Sequence, residues 1–275
     1  KNTKWRKEVW IQKNTFKEEK EVIDVVVTNL YTLPKINNKK PYLTCNLYTA
    51  EEESILDSSL KFKINSSGYK TRAGVVTSAR FLTLQFKNRI SYFYENGRLV
   101  NYGDQDYADG EGRYYHEGLY LTENKFKTIK ASVNGPAAWG CPLYVDLFER
   151  EEKNGLDCSG FVSWALLNGG FDVGDVGAGI DPERTDDLDD LGEKMKVNES
   201  DFDTSKIKVG DLFSRYGHIG ILIGKDNDTF YIAEALDYDL HVLTMTSKEI
   251  LESEWLYVIL MDDLYKKDGK LKEMW

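Results

Sequence analysis

Gly155-Leu156-Asp157-Cys158-Ser159-Gly160-Phe161-Val162-Ser163-Trp164-Ala165-Leu166-Leu167 is the stretch on which the fold reading turns. Its second half is apolar on nearly every side, the pattern of a helix buried in a core. Asp157 suits the N-cap, because its carboxylate accepts from backbone N–H groups that the first turn leaves unpaired. Asn168-Gly169-Gly170 supplies the stop, since glycine takes left-handed dihedrals without a Cβ penalty. Cys158 falls in the first turn, where the helix dipole and free N–H groups favour a thiolate. Two readings of it stand open on this stretch alone: a nucleophile, or a buried structural cysteine.

Downstream, Lys208-Val209-Gly210-Asp211-Leu212-Phe213 reads as a turn entering a strand. Tyr216-Gly217-His218-Ile219-Gly220-Ile221-Leu222-Ile223-Gly224 is a second, β-branched strand opened by His218. Lys225-Asp226-Asn227-Asp228 is its hairpin turn, and Thr229 to Ala235 the return strand. A histidine on a sheet facing a helix-capping cysteine is what thiol chemistry needs: it accepts the thiol proton and returns it to the leaving amine. A third polar group should fix the imidazole tautomer from a neighbouring strand. Glu234, inside an otherwise apolar run, is the first candidate; Asp237, Asp239 and His241 are the alternatives.

Asp157-Cys158-Ser159-Gly160-Phe161-Val162, Gly210-Asp211-Leu212 and Gly217-His218-Ile219-Gly220-Ile221 together resemble the NlpC/P60 family of papain-like cysteine peptidases. The order, the local residues and the gap of about sixty residues between cysteine and histidine agree. The resemblance covers about residues 69–265. It implies a papain-like α+β fold, with N-terminal helices packed on an antiparallel β-sheet, and hydrolysis of peptidoglycan stem peptides, usually at the bond following D-glutamate. It places the nucleophile on Cys158 and the base on His218. Its third polar position, often histidine, falls on Glu234, a departure. The family's tyrosine before the nucleophile falls on Tyr92, with Tyr94 as the following aromatic; Glu95-Asn96-Gly97 departs from the usual double glycine. Tyr92, Asp157 and Ser159 would then contact the free amine of a stem peptide. Asp157 as a plain helix cap and Tyr92 as a core aromatic remain the alternative.

The rest of the chain sets bounds. A formal charge of −10 argues against nucleic acid, which needs a basic footprint, and against adsorption to an anionic membrane. No apolar run approaches the roughly 18 residues of a spanning helix. Residues 1–8 are polar and basic with no apolar segment behind them. That suits either a cytoplasmic protein or a processed chain; the resemblance favours the second, at the cell wall or outside the cell. Cys45 and Cys141 could bridge and leave Cys158 free, but the expectation is two unpaired structural cysteines. His116, His218 and His241 form no zinc spacing, the Asp104-to-Gly110 acids miss the calcium-loop pattern, and no cofactor is implied.

Residues 1–68 read as an N-terminal extension and 69–275 as the catalytic domain. The extension should hold a strand over 22–27, a possible strand from Tyr42 to Tyr48, and a helix over 50–64 opened by a capping box at Thr49-Ala50-Glu51-Glu52. A longer helix is expected over 70–91. The glycine- and tyrosine-rich run from Asp109 to Tyr120 suits a groove lining or a packed loop, with His116 structural or at the substrate. Residues 171–205, acidic and irregular around Asp186 to Asp190, read as a solvated loop or short helix; an acidic rim favouring a cationic diamino acid is the sharper version. A strand from Leu240 to Met245, a short helix at Ser247–Glu252, a strand at Trp255–Met261 and a polar tail complete the chain. Rival functions are amidase or acyltransferase chemistry on the same fold, or non-catalytic wall binding.

Overall fold

The computed structural model describes residues 36–93, 116–126, 138–145, 151–174, 176–179 and 187–270. The strand expected over 22–27, the motif residues Tyr94 to Gly97, the acids 104–110 and most of the tyrosine-rich run lie outside these residues.

Thr49 and Glu52 open helix α1 (Ala50–Ser67) with the expected reciprocal cap. Thr49 Oγ1 accepts from the Glu52 N–H at 3.2 Å, and the Glu52 carboxylate accepts from the Thr49 N–H at 2.8 Å. The helix runs to Ser67 and stops at Gly68, whose φ of 117° favours a residue without a Cβ. Leu60 and Ile64 bury together with Leu43 in the core that also takes Val75 and Ala79, so residues 43–64 and the later helices share apolar packing.

Helix α2 (Arg72–Arg80) is buried along its whole length and ends in a π-helical turn, Phe81–Gln85. The expected helix over 70–91 therefore ends early. The cause is competition from elsewhere in the chain: Leu43 N–H donates to the Arg89 carbonyl and Arg89 N–H to the Pro41 carbonyl, each at 2.8 Å. These bonds hold Arg89 alongside Tyr42 in an isolated bridge, which is all that forms of the strand expected over 42–48. Asn46, in the left-handed region at φ 56°, turns the chain away. At the other end of α2, the Arg72 and Ala73 N–H groups donate to the Lys267 and Asp268 carbonyls at 2.9 Å, so the C-terminal tail caps this helix.

A short helix α3 (Glu123–Phe126) and an antiparallel ribbon of β1 (Pro142–Val145) and β2 (Glu151–Lys153) precede helix α4 (Cys158–Asn168), the helix of the opening stretch. Then come β3 (Glu193–Lys196), β4 (Leu212–Arg215), β5 (His218–Asp226), β6 (Thr229–Leu236), β7 (Asp239–Thr246), α5 (Ser247–Leu251), β8 (Tyr257–Leu260) and α6 (Asp262–Tyr265). The six strands pair in the order β3-β8-β4-β5-β6-β7, all antiparallel. The class is α+β, helices followed by an antiparallel sheet, as expected.

The β5–β6 hairpin turns at Asn227, which takes φ 51°. Ile219, Ile221 and Ile223 go to the core shared with α4, while Leu222 joins a second core with Phe213, Phe230, Ile232 and Trp255. That is the two-residue alternation of a strand buried on both faces. Where β5 is irregular between Leu222 and Gly224, buried Arg80 donates from Nε to the Ile223 carbonyl at 2.7 Å.

The acidic stretch forms the expected short helix at its centre and is largely exposed from Glu193 on, but several of its residues are buried. Leu188–Asp190 is a 3-10 turn with Leu188 and Asp189 buried, and β3 pairs with β8. Asp189 accepts from the Gly179 N–H at 2.7 Å and from the Ser214 hydroxyl. A carboxylate supplied with donors in this way tolerates burial. No helix among the described residues is long and apolar enough to cross a membrane.

Candidate active site

The segment that delivers Cys158 is clamped on both sides. Leu156 N–H donates to the Ser91 carbonyl at 3.1 Å, and Phe93 N–H returns a bond to Leu156 at 3.2 Å. Gly155 lies so close to this crossing that a Cβ would stand 1.7 Å from the Ser91 oxygen, so only glycine fits. On the other side, Asn154 exchanges bonds with Gly140 and Cys141 at 2.8 Å each. Cys141 is in turn bridged to Cys45, which corrects the expectation of two unpaired cysteines. Their separation of 96 residues gave no local signal of pairing. Cys158 is left as the free thiol.

Asp157 is the N-cap of α4. Its Oδ1 accepts from the Gly160 N–H at 2.8 Å and from the Ser159 hydroxyl at 3.1 Å, so the proposed substrate contacts Asp157 and Ser159 are joined to each other. Tyr92, half-buried, bridges Leu156 through its backbone and donates its N–H to the Tyr238 carbonyl at 2.9 Å. Asp157 and Ser159 flank Cys158 in the chain, and Tyr92 is tied to Leu156, two residues before it.

Cys158 is buried, and its sulfur lies against the backbone on either side of His218: the thiol points at the Gly217 carbonyl, 4.0 Å away, and the Ile219 N–H reaches the sulfur. Burial, and next the Asp157 charge, push the thiol up to about 12, outweighing the N–H groups of Ile219, Ser159 and Cys158 that pull it down. Burial thus opposes the thiolate that a helix N-terminus favours. The desolvation of a buried sulfur is the stronger effect here.

His218 opens β5 and is 3% exposed. Its Nε2 lies 2.7 Å from Glu234 Oε2, and its ring stacks on Trp255 with centroids 5.5 Å apart. Trp255 carried no signal in the sequence beyond being apolar, because its contact is made across the sheet. Glu234, 1% exposed on β6, uses its second oxygen on His241 Nε2 at 3.1 Å; the two residues face each other directly in the β6–β7 register. His241 Nδ1 meets Asp239 Oδ1 at 3.1 Å. Asp239 Oδ2 accepts from Arg89 at 2.7 Å and from the Tyr42 hydroxyl at 3.0 Å, and the Arg89 guanidinium lies over the Tyr42 ring. Of the alternatives to Glu234, His241 and Asp239 therefore stand behind it in one line, whereas Asp237 forms the turn at φ 55°.

Burial raises the Glu234 carboxyl, but the bonds from His218 and His241 outweigh it and hold the group at about 2. A depressed folded value contributes stability above the ordinary value of 4.5, and that contribution is lost as pH falls toward 2. Glu234→Gln should therefore melt below the wild type at pH 6, with the difference closing by pH 2. A constant difference in melting temperature across that range would contradict the assignment.

His116 is half-buried and remote from this line: its carbonyl accepts from the Tyr120 hydroxyl, and burial lowers its imidazole below the usual range. Comparison of the chain with protein-family models, with curated proteins and with solved structures finds no match.

Proposed function

We propose that this chain is a papain-like cysteine hydrolase of the NlpC/P60 kind that cleaves peptidoglycan stem peptides, at the bond between D-glutamate and the following diamino acid. The observation that carries the reading is the junction of α4 and β5. A lone free thiol in the first turn of a buried helix lies against the backbone of a histidine whose Nε2 is held by a buried carboxylate. Nε2 is committed to Glu234, so the thiol proton is assigned to Nδ1, as a cysteine–histidine–carboxylate triad requires. The sulfur itself meets the peptide groups of Gly217 and Ile219 and makes no bond to the imidazole, which stacks on Trp255, so the ring must approach the thiol for the reaction.

His218 takes the thiol proton as the sulfur attacks the amide carbonyl. The carbon–sulfur bond forms, the carbonyl oxygen becomes an oxyanion, and the backbone N–H groups of the helix N-terminus, that of Cys158 first, are assigned to it. Collapse breaks the carbon–nitrogen bond, and the proton on His218 leaves with the amine. Water, deprotonated by the same imidazole, then releases the acid from the thioester and regenerates the thiol. Glu234 stabilises the imidazolium present between these steps. Tyr92, Asp157 and Ser159 are assigned to the free amine of the stem peptide, where a carboxylate favours an ammonium. The Cys45–Cys141 bridge supports an oxidising compartment outside the cytoplasm, where the substrate lies.

The test is mass spectrometry of free stem peptides and of purified wall fragments after incubation with the protein. The expected products are a fragment ending in D-glutamate and one beginning with the diamino acid. An intact stem peptide released from the glycan would indicate an amidase, and a ligated product an acyltransferase. Unchanged substrates in both series would overturn the proposal.

A further inference from the structure

Both ring nitrogens of His241 face carboxylates, Nε2 toward Glu234 and Nδ1 toward Asp239, each at 3.1 Å. A neutral imidazole carries one N–H and would leave one of these contacts as oxygen against a bare nitrogen lone pair. The geometry asks for both protons. His241 is also raised above its usual range: burial opposes this, but Glu234 and Asp239 together outweigh it. The line from the thiol thus alternates in charge: His218, Glu234 negative, His241 positive, Asp239 negative, Arg89 positive.

We propose that His241 is a positioning residue of this site: its imidazolium holds the Glu234 carboxylate against His218 and offsets part of its charge, so that His241 sets how strong a base His218 is. The proposal rests on the cysteine-hydrolase reading above for its kinetic consequence, but not for its electrostatic one. A carboxylate shared between two imidazoles raises the basicity of each less than a carboxylate held by one. Without the His241 charge, Glu234 would act on His218 alone and make it a stronger base, one less ready to give its proton back to a leaving amine.

The groups that bear on this balance come from several parts of the chain. Glu234 on β6 and Asp239 on β7 touch His241 directly; Arg89, Tyr42 and, beyond them, Lys40 act through Asp239. His218 is faced by Glu234 and the Cys158 segment with Asp157, and lies across from Arg215 of β4, which is itself paired with Glu254. Replacing His241 removes the positive charge on the far side of Glu234 and one partner of Asp239, which keeps Arg89 and Tyr42.

The experiment is nitrogen-resolved NMR titration of the histidine rings in wild type, His241→Gln and Asp239→Asn, alongside the pH profile of kcat/KM. His241 should show two protonated nitrogens at pH 7 in the wild type. In His241→Gln, loss of the positive charge should raise the His218 titration by about one pH unit. The acid limb of kcat/KM should move up by the same amount, a loss of about tenfold below the limb that recovers toward the plateau. Asp239→Asn should lower the His241 titration, since the Asp239 carboxylate supports its positive charge. A purely structural role predicts a uniform fall in activity with the His218 titration unmoved, and that result, or a singly protonated His241 at pH 7, overturns the proposal. If the titrations shift as expected but no substrate is cleaved, the positioning role stands and the hydrolase reading fails.

Discussion

Cys158→Ala should abolish cleavage of a free stem peptide, lowering kcat by about 10³-fold or more, the scale on which removal of a nucleophile acts. The protein should still fold. Alanine keeps the first turn of α4 and the Asp157 cap, whose acceptor bonds run to Gly160 and Ser159 and not to the sulfur. Near-normal melting with no turnover is the expected pair of results. His218→Ala should be as severe, and the double variant no worse than either alone, because a nucleophile without its base and a base without its nucleophile fail at the same step. Losses that multiply in the double variant, or residual turnover in Cys158→Ala within tenfold of the wild type, would show that the thiol is not the attacking group.

The parts of this site that were legible in the sequence are those with local causes. The Asp157 cap, the apolar run after it and the glycine stop sit within one helix, and Gly217 to Ala235 is one hairpin with its turn at Asn227. Position along the chain is enough to read such elements. The rest depends on contacts that no local window contains. Tyr42 and Arg89 lie far from Asp239 in sequence, yet they terminate the line behind Glu234. β3 has one buried residue, Met195, among exposed charges, so its alternation is too thin to distinguish it from an acidic loop. The helix expected over 70–91 carries a fair helical pattern to its end, and loses its last turns only because residues 41–43 compete for the Arg89 backbone. The charge state of the thiol turns on the same distinction: a helix N-terminus favours a thiolate, whereas burial, a property of the whole fold, opposes it.

Gly210-Asp211-Leu212, one of the three motifs that carry the family resemblance, owes its form to folding, and this gives the largest expected effect on stability. Arg72, 1% exposed at the start of α2, donates from one nitrogen to Asp211 at 2.8 Å and to the Val209 carbonyl at 3.1 Å, and from another to Asp262 at 2.5 Å. Its guanidinium lies over the Tyr265 ring, whose hydroxyl donates to the Gly210 carbonyl at 2.8 Å. Asp211 is equally buried and accepts from the Lys208 and Met261 N–H groups as well. Arg72→Met should cost about 3–5 kcal/mol, because it strands a buried carboxylate without its cation, and should lower the melting temperature by about 10 °C. Arg72→Met combined with Asp211→Asn should recover part of that loss, since it is the unpaired charge that is expensive. The pH dependence has a definite sign. Burial already raises Asp211, with Arg72 pulling it back. Without Arg72 its folded value rises further above the unfolded one, so the folded state is favoured below the ordinary carboxylate range and weakened as pH climbs through the raised value. The deficit of Arg72→Met against wild type should therefore be smaller at pH 4 than at pH 7. None of these groups touches Cys158, His218 or Glu234, so the variant at low temperature should turn over at close to the wild-type rate. A variant that melts normally would refute the buried-pair account. One that stays folded at low temperature but has lost activity would tie α2 to the catalytic groups by a route other than stability.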